Sequence, residues 1–352
     1  MDVELHRGPI EPLLADWERL HAADPRRTPF SSPWWATAWM AVYGADVEPW
    51  TLLARDAGGV VALAPLTLGT KGPVRMLRGL GTEPADFWDV LAEPEFRERA
   101  LSAFARKLGE RRRDWDLLSL DAEREATTPS FAHRLGPAGM RVTTLEPEPC
   151  PVLPLPGDFD EYLAGQSRNS RSNYRRHLKR LDEGQVSMRL VTEPGEFAAA
   201  VARWHDLRAA QWDDRERELY GLQTLDSFRD FNARLLTEFV PRSLAEMREF
   251  HLDGKLTGSY IDFMDDRSYY VWLGGFDPAH SKVGIGKIAV LQGIRSSIEH
   301  GRTHFDFTRG SEPYKYDFGG VDAMLPSARF SHGRPRSRAA AAALRLRERF
   351  RG

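Results

Sequence analysis

The sequence predicts an α+β protein of two lobes, each a mixed, mostly antiparallel sheet flanked by helices. Three observations carry that expectation. The chain has 352 residues, more than one ordinary core absorbs. One order of strands, helix and strand occurs twice, and a proline-rich stretch separates the two occurrences. The expected organisation is a first lobe over residues 1–150, a second over 151–333 and a basic helical tail over 334–352.

In the first half, residues 50–55 and 60–66 read as the arms of a hairpin turning at Gly58 and Gly59; 97–110 reads as a helix and 115–120 as the strand after it. Pro147, Pro149, Pro151, Pro154 and Pro156 cannot continue a helix and read as a linker. Asp158, with Glu161 three residues on, is a capping box opening a short helix. A second helix over 168–183 carries Tyr174, Leu178 and Leu181 as its apolar stripe and stops at Gly184. Residues 246–252 and 256–263 form a hairpin about Asp253 and Gly254, Asp265 and Asp266 turn the chain again, and 269–274 is a third strand. A glycine loop over 276–286 leads into a helix over 287–300, with Ile288, Leu291, Ile294 and Ile298 at helical spacing and Gly301 as its stop. A strand over 303–308 closes the unit. The tail's alanine run, with Leu344, Leu346 and Phe350, reads as a helix that docks on the body or frays.

Hydrophobic residues make up 41% and charged residues 28%, and no apolar run approaches the ~20 residues of a membrane span, so a soluble globular protein without membrane insertion is expected. The acidic N-terminus has no apolar run and gives no sign of a signal peptide. A single cysteine, Cys150, excludes an intramolecular disulfide framework and a cysteine-rich zinc site, which points to the cytoplasm. The net charge of -2 hides an uneven distribution: residues 166–180 hold six basic side chains and no acid, and the tail holds seven arginines against Glu348. The remainder is acidic, which argues against general affinity for DNA and leaves the basic helix as either a solvated face or a contact for a phosphate-bearing partner.

Chemistry concentrates in the second lobe. In Ser281-Lys282-Val283-Gly284-Ile285-Gly286-Lys287, between strand and helix, consecutive backbone N–H groups and the helix's positive end suit a pyrophosphate. Gly284 and Gly286 would permit close approach, and Lys282 and Lys287 add charge. A tight turn that requires glycine explains the same residues. Neither a complete G-x-G-x-x-G nor a Walker loop is present. His300 and His304 are separated by Gly301, no H-E-x-x-H occurs, and no metal is expected. His205 lies beside Asp206 on a helix with Trp204, Leu207 and Trp212, and reads first as structural and second as a residue lining an acceptor cleft.

Antiparallel strands followed by x-x-x-Gly-x-Gly, a helix and a further strand resemble the acyl-CoA-binding core of the GNAT acetyltransferases, where Ser281 stands in place of the usual Gln or Arg. The run Asp306-Phe307-Thr308-Arg309-Gly310-Ser311-Glu312-Pro313-Tyr314-Lys315 is similar to the signature of the CelD/BcsL-type branch, as are Phe30-Ser31-Ser32-Pro33 with Trp34 and Trp35, the pattern from Gly81 to Asp86, and Gly274-Gly275-Phe276-Asp277-Pro278. The arginine-rich helix resembles a segment of the FemAB proteins, tandem GNAT-like transferases that use aminoacyl-tRNA. The resemblance implies two GNAT-like lobes, with the second binding acetyl-CoA or another acyl-CoA as co-substrate and the first shaping the acceptor side. It implies direct acyl transfer to an amine or hydroxyl of a small-molecule or saccharide acceptor, with tRNA as the less favoured donor and a non-catalytic binding protein as a further alternative. Asp306 is then a general base or acceptor-orienting group, and Tyr314 and Tyr316 candidates to protonate the leaving thiolate. Ser281 to Lys287 and the Leu273 backbone would hold the donor, and Arg309, Glu312, Lys315, His205 and Trp272 would contact the acceptor. The loop reading also predicts that Gly284→Val abolishes CoA binding without unfolding the protein. Oligomeric state is not legible, since no heptad or exposed apolar stripe stands out.

Overall fold

A computed structural model describes residues 1–56, 59–82, 84–122, 140–211 and 226–349. The chain forms two compact units, Met1–Glu148 with Met324–Gly352, and Pro149–Ala323. Among the described residues no helix is long and apolar enough to cross a membrane.

In the first unit Asp2–Arg7 pairs antiparallel with Val47–Asp56, which also pairs with Gly59–Ala64 and Leu66–Lys71. This is the expected hairpin, with Gly58 outside the described residues and the return arm divided at Pro65. A third strand, Val74–Gly79, follows; after the helix Arg97–Glu110 the chain returns as Leu117–Leu120, parallel to it. Ala100, Leu101, Phe104 and Leu108 bury one stripe of that helix against Trp50, Leu52, Trp115 and Leu118. At Pro33–Tyr43 the Ser32 hydroxyl caps the helix by accepting from the Trp35 amide at 3.1 Å, and Pro33 occupies the first turn. Gly81, at φ +82°, leaves room for the buried Trp35, whose Nε1 would lie 2.5 Å from a Cβ there.

The C-terminal segment corrects the expected boundaries. Ala328–His332 lies between Leu117–Leu120 and Met140–Thr144 in the first unit's sheet, although the sequence placed it in the second lobe. The tail helix Pro335–Arg349 docks on the same unit, where the Ser337 hydroxyl donates to the Asp116 carbonyl at 2.6 Å and accepts from the His332 amide at 2.9 Å.

The second unit, its elements numbered within it, comprises β1 Glu148–Pro154, α1 Phe159–Gly165, α2 Arg168–Asp182, β2 Val186–Leu190, α3 Phe197–Ala209, α4 Asp226–Phe239, β3 Ala245–Leu252, β4 Lys255–Met264, β5 Ser268–Phe276, α5 Ile285–Glu299, β6 His304–Asp306, α6 Pro313–Asp317 and β7 Val321–Leu325. The sheet order is β2-β3-β4-β5-β6-β1-β7. Left-handed Asp253 and Gly254 turn β3 into β4, as the sequence indicated. The proline-rich linker is instead β1, antiparallel to β6. Prolines cannot donate, but their carbonyls accept, Pro151 from the Phe307 amide at 2.9 Å and Pro149 from the Gly310 amide at 3.0 Å. α5 starts two residues earlier than expected and buries Ile288, Leu291, Ile294 and Ile298.

Under α5 lies a buried ionic network. Arg248, 2% exposed, donates to Asp262 Oδ2 at 2.6 Å and to the Ala289 carbonyl and Gln292 Oε1, each at 2.9 Å; its Nε lies 3.1 Å from Glu246. The Tyr269 hydroxyl hydrogen-bonds Glu246 at 2.5 Å and Asp262 at 3.0 Å. Desolvating a carboxylate and a guanidinium is tolerable only while both are present, so Arg248→Met is expected to destabilise the protein by about 3–5 kcal/mol. The double variant Arg248→Met/Asp262→Leu should recover most of that loss. Denaturant unfolding of the two variants beside the parent checks both expectations.

Candidate functional site

The site is built where two parallel strands part. β5 and β6 share three registers, ending at Tyr270 opposite Asp306. There the Asp306 carboxylate accepts the Thr308 amide at 2.8 Å and the Cys150 thiol at 3.3 Å. Thr308 turns left-handed, at φ +58°, and its hydroxyl donates to the Val271 carbonyl at 2.9 Å. On the other flank the β4–β5 register slips at Trp272, with Asp262 facing Val271 and Ile261 facing Leu273. The remainder of β5, through Phe276, runs on without β6 beside it.

The motif after β6 fixes this turn. Lys315 is buried, and its ammonium donates to the carbonyls of Thr308, Arg309 and Gly310 at 3.1, 2.7 and 3.2 Å and pairs with Glu312 at 2.9 Å. Lys315 and Glu312 therefore clamp the chain reversal; the burial of Lys315 corrects its reading as an acceptor contact, while Glu312 stays exposed. Asp306, 1% exposed, ends the strand, where its carboxylate accepts the first amide of the turn.

Gly284, left-handed at φ +79°, is the N-cap of α5. The first intrahelical bond runs from the Ile288 amide to the Gly284 carbonyl, so the amides of Ile285, Gly286 and Lys287 precede the ladder, and no side chain caps them. Ser281 and Lys282 stand exposed on the one-and-a-half turns before the cap and Val283 is half-buried; Lys287 is exposed too. Asp277 ties these turns to the hairpin, bonding the Ala279 amide and Lys255, which hold its carboxyl below the usual range.

α2 covers this loop. A Cβ at Gly284 would lie 2.3 Å from His177 Cε1, and Arg180 donates to the Val283 carbonyl. Gly284 is thus demanded by its φ and by the imidazole, so Gly284→Val would disturb the fold, and the expectation of an unfolding-neutral variant is corrected. His177 is 6% exposed and its Nδ1 has no hydrogen-bond partner. Burial, then the charges of Arg180, Lys287 and Arg176, push its pKa down to about 4. Neither His177 nor Tyr260, a buried phenol with an unpartnered hydroxyl beside Gly286, was singled out from sequence. The signal for His177 was its place next to the Tyr174–Leu178 stripe within a cationic run.

Tyr314, 40% exposed, packs edge-on against Phe307, where the chain leaves β6. The Tyr316 hydroxyl donates to Asp322 at 2.8 Å, which raises its pKa. Arg309 is half-exposed in the turn. Trp272 packs tilted against Phe263, with ring centroids 4.4 Å apart, and near Phe228, and Leu273 is buried. His205 stands on α3, whose Trp204 and Arg208 back Gly275 on the sheet face opposite that of Gly274 and α5; Trp212 lies outside the described residues. The structure therefore gathers 281–287 and the β5–β6 parting, and leaves Trp272 and His205 on the far face.

The corresponding helix of the first unit begins differently. Arg97, in its first turn and 5% exposed, donates to both Asp89 oxygens at 2.6 and 2.8 Å and to the Val90 carbonyl, and Asp24 takes the Ala92 amide at 3.0 Å. That helix start is filled by the unit's own charges.

Residues 168–316 match the family model described as acetyltransferase (GNAT) domain. No curated protein matches the chain. Among solved structures, FemX superposes with a TM-score of 0.66 at 11% identity, over 92% of this chain and 96% of that one. A tandem GNAT protein from the clavulanic acid biosynthesis pathway superposes with 0.53 at 16% identity, over 95% and 99%. L-PGS from Bacillus licheniformis gives 0.55 at 11%, over 91% and 92%. The chain carries the two-lobed GNAT fold, with the matched domain in the second unit.

His177 gives the site a pH signature. The unfolded chain binds a proton at His177 near pH 6.5 and the native one only near 4, so stability falls as pH drops through that interval. In His177→Phe the fall from pH 6.5 to 4 should be shallower, as read by thermal unfolding at a series of pH values.

Proposed function

We propose that the protein is an acyltransferase that moves an acetyl or other acyl group from acyl-CoA to an amine or hydroxyl of a small-molecule or saccharide acceptor, akin to the CelD/BcsL-type branch. The observation that carries this reading is the uncapped start of α5, three amides with Lys287 beside them, set where β5 and β6 part. A helix start with free N–H groups attracts a pyrophosphate, and parted strands leave backbone groups to hold an extended pantetheine. Ile285, Gly286 and Lys287 would take the phosphates, with Lys282 as a further cation and Ser281 alongside; β5 from Leu273 onward would line the arm. The acceptor's nitrogen or oxygen adds to the thioester carbonyl and gives up a proton to solvent, the C–S bond breaks, and the thiolate takes a proton from a donor that solvent reprotonates, so that the net products are the acylated acceptor and the CoA thiol. Tyr314 is the proton donor in this reading, placed against Phe307 where the chain leaves β6. Positioning and carbonyl polarisation supply the rest of the acceleration. The first lobe, its helix start filled by Arg97 and Asp89, serves the acceptor side.

A second donor, aminoacyl-tRNA, is favoured by one observation. Among the described residues Arg168, Arg171 and Arg175 have no acidic partner, and on α2 only Lys179 pairs with a carboxylate, Glu183 at 3.5 Å. A cationic face of this kind suits a polyanion.

Calorimetric titration of the full chain with acetyl-CoA separates the two. Micromolar binding that weakens at least about tenfold, ~1.4 kcal/mol, in Gly286→Val is the expected result. That position has ordinary helical φ and only contact-distance neighbours, so the variant should keep its fold. Binding to aminoacyl-tRNA alone, falling steeply with salt and lost in Arg171→Glu/Arg175→Glu, would replace acyl-CoA as the donor.

A further inference from the structure

Tyr260 on β4 is a buried phenol with nothing to bond. It is 6% exposed, and its Oη has no hydrogen-bond partner. Its ring is well held, edge-on to Phe250 at 5.7 Å and with the Arg248 guanidinium 6.0 Å from its centroid. One glycine, Gly274, makes room for it, and two more, Gly258 and Gly286, stand at contact distance. A Cβ at Gly274 of β5 would lie 2.6 Å from Tyr260 Cε1, one at Gly258 of β4 would lie 3.4 Å from Cε2, and one at Gly286 of α5 would lie 3.5 Å from the hydroxyl itself. The hydroxyl therefore lies next to Gly286 in the first, uncapped turn of α5, the turn whose Ile285, Gly286 and Lys287 amides precede the helical ladder.

Phenylalanine would fill the same space without an unsatisfied polar atom, and an unpartnered buried hydroxyl is destabilising. Burial also raises the phenol's pKa well above its ordinary value, so it is a proton donor throughout the working pH range. We propose that Tyr260 is a donor-binding residue: its hydroxyl donates a hydrogen bond to an oxygen of the acyl donor held at the start of α5. This rests on the acyl-CoA reading and adds to it a side-chain contact from the sheet, beside the loop's own Ser281, Lys282 and Lys287.

The test compares full-length parent and Tyr260→Phe by calorimetry with acetyl-CoA and by thermal unfolding without ligand. The expected result is a Kd about tenfold weaker in the variant, with a ligand-free Tm equal to or above that of the parent. Equal affinities with a parent that binds overturn the Tyr260 contact and leave the acyl-CoA reading standing. A parent that does not bind acetyl-CoA overturns both. Weaker binding accompanied by a Tm several degrees lower would make Tyr260 a packing residue and overturn the contact. A 3-fluorotyrosine label at 260 gives an independent readout: its fluorine resonance should shift on adding acetyl-CoA, and an unmoved resonance at saturation counts against the contact.

Discussion

The bond from the Thr308 amide to the Asp306 carboxylate decides where β6 ends, and the candidate site follows from that ending. Had the parallel ladder continued, β6 would have satisfied the edge of β5 through Phe276 and closed the sheet. Instead the chain reverses through left-handed Thr308 and Gly310, and Lys315 gathers the three carbonyls that the reversal turns inward. A lysine fully engaged by carbonyls and one carboxylate replaces the water those groups would otherwise need, which is what allows it to be buried. Gly310 belongs to the same device: its φ of +110° is open to few residues, and a Cβ there would lie 2.5 Å from the Glu312 carboxylate that pairs with Lys315.

This second unit retains polar groups in places where apolar ones would be more stable. The Arg248 network, the neutral His177 among cations and the unpartnered Tyr260 each carry a desolvation penalty, and all three surround α5 or its start. Structural need accounts for Arg248, whose guanidinium is paired with Asp262 and Glu246 and donates to the Ala289 carbonyl and Gln292. It does not account for His177 and Tyr260, whose free atoms converge from α2 and β4 on the same helix end. Conflict between local stability and an observed residue is where function is most economically sought.

Much of the fold was legible because its signals are local. The Asp253-Gly254 turn, the Asp158 cap, the stop at Gly184 and the stripe of α5 each depend on residues a few positions apart, and each stands where the sequence put it. What escaped is non-local. Nothing near Ala328–His332 says that it will join a sheet whose neighbours lie some two hundred residues earlier, and prolines hide β1 because a strand accepting through its carbonyls needs no N–H. The site residues divide the same way. Ser281 to Lys287 were recognisable as a loop before a helix, whereas Asp306, Glu312 and Lys315 were assigned chemistry because their type and spacing suit it, and only the structure shows them as parts of a turn. Gly284 looked like room for an anion and is room for an imidazole from a helix a hundred residues away.

The two helix starts show how one fold serves two ends. In the first unit Arg97 enters the first turn and meets Asp89 and Val90, so the dipole and amides of that helix face a neutralised, buried cluster. In the second unit the equivalent turn begins with a left-handed glycine and is bordered by Lys287, Arg180 and Arg176, whose charges add to burial in keeping His177 uncharged; neither start has a side-chain cap. An anion is repelled by neither the helix nor its surroundings there, whereas at the first start it would have to displace Asp89 from a bidentate, buried pair. The asymmetry follows from a few side chains together with the N-cap backbone, right-handed at Phe96 and left-handed at Gly284, so two lobes of one architecture present different helix starts.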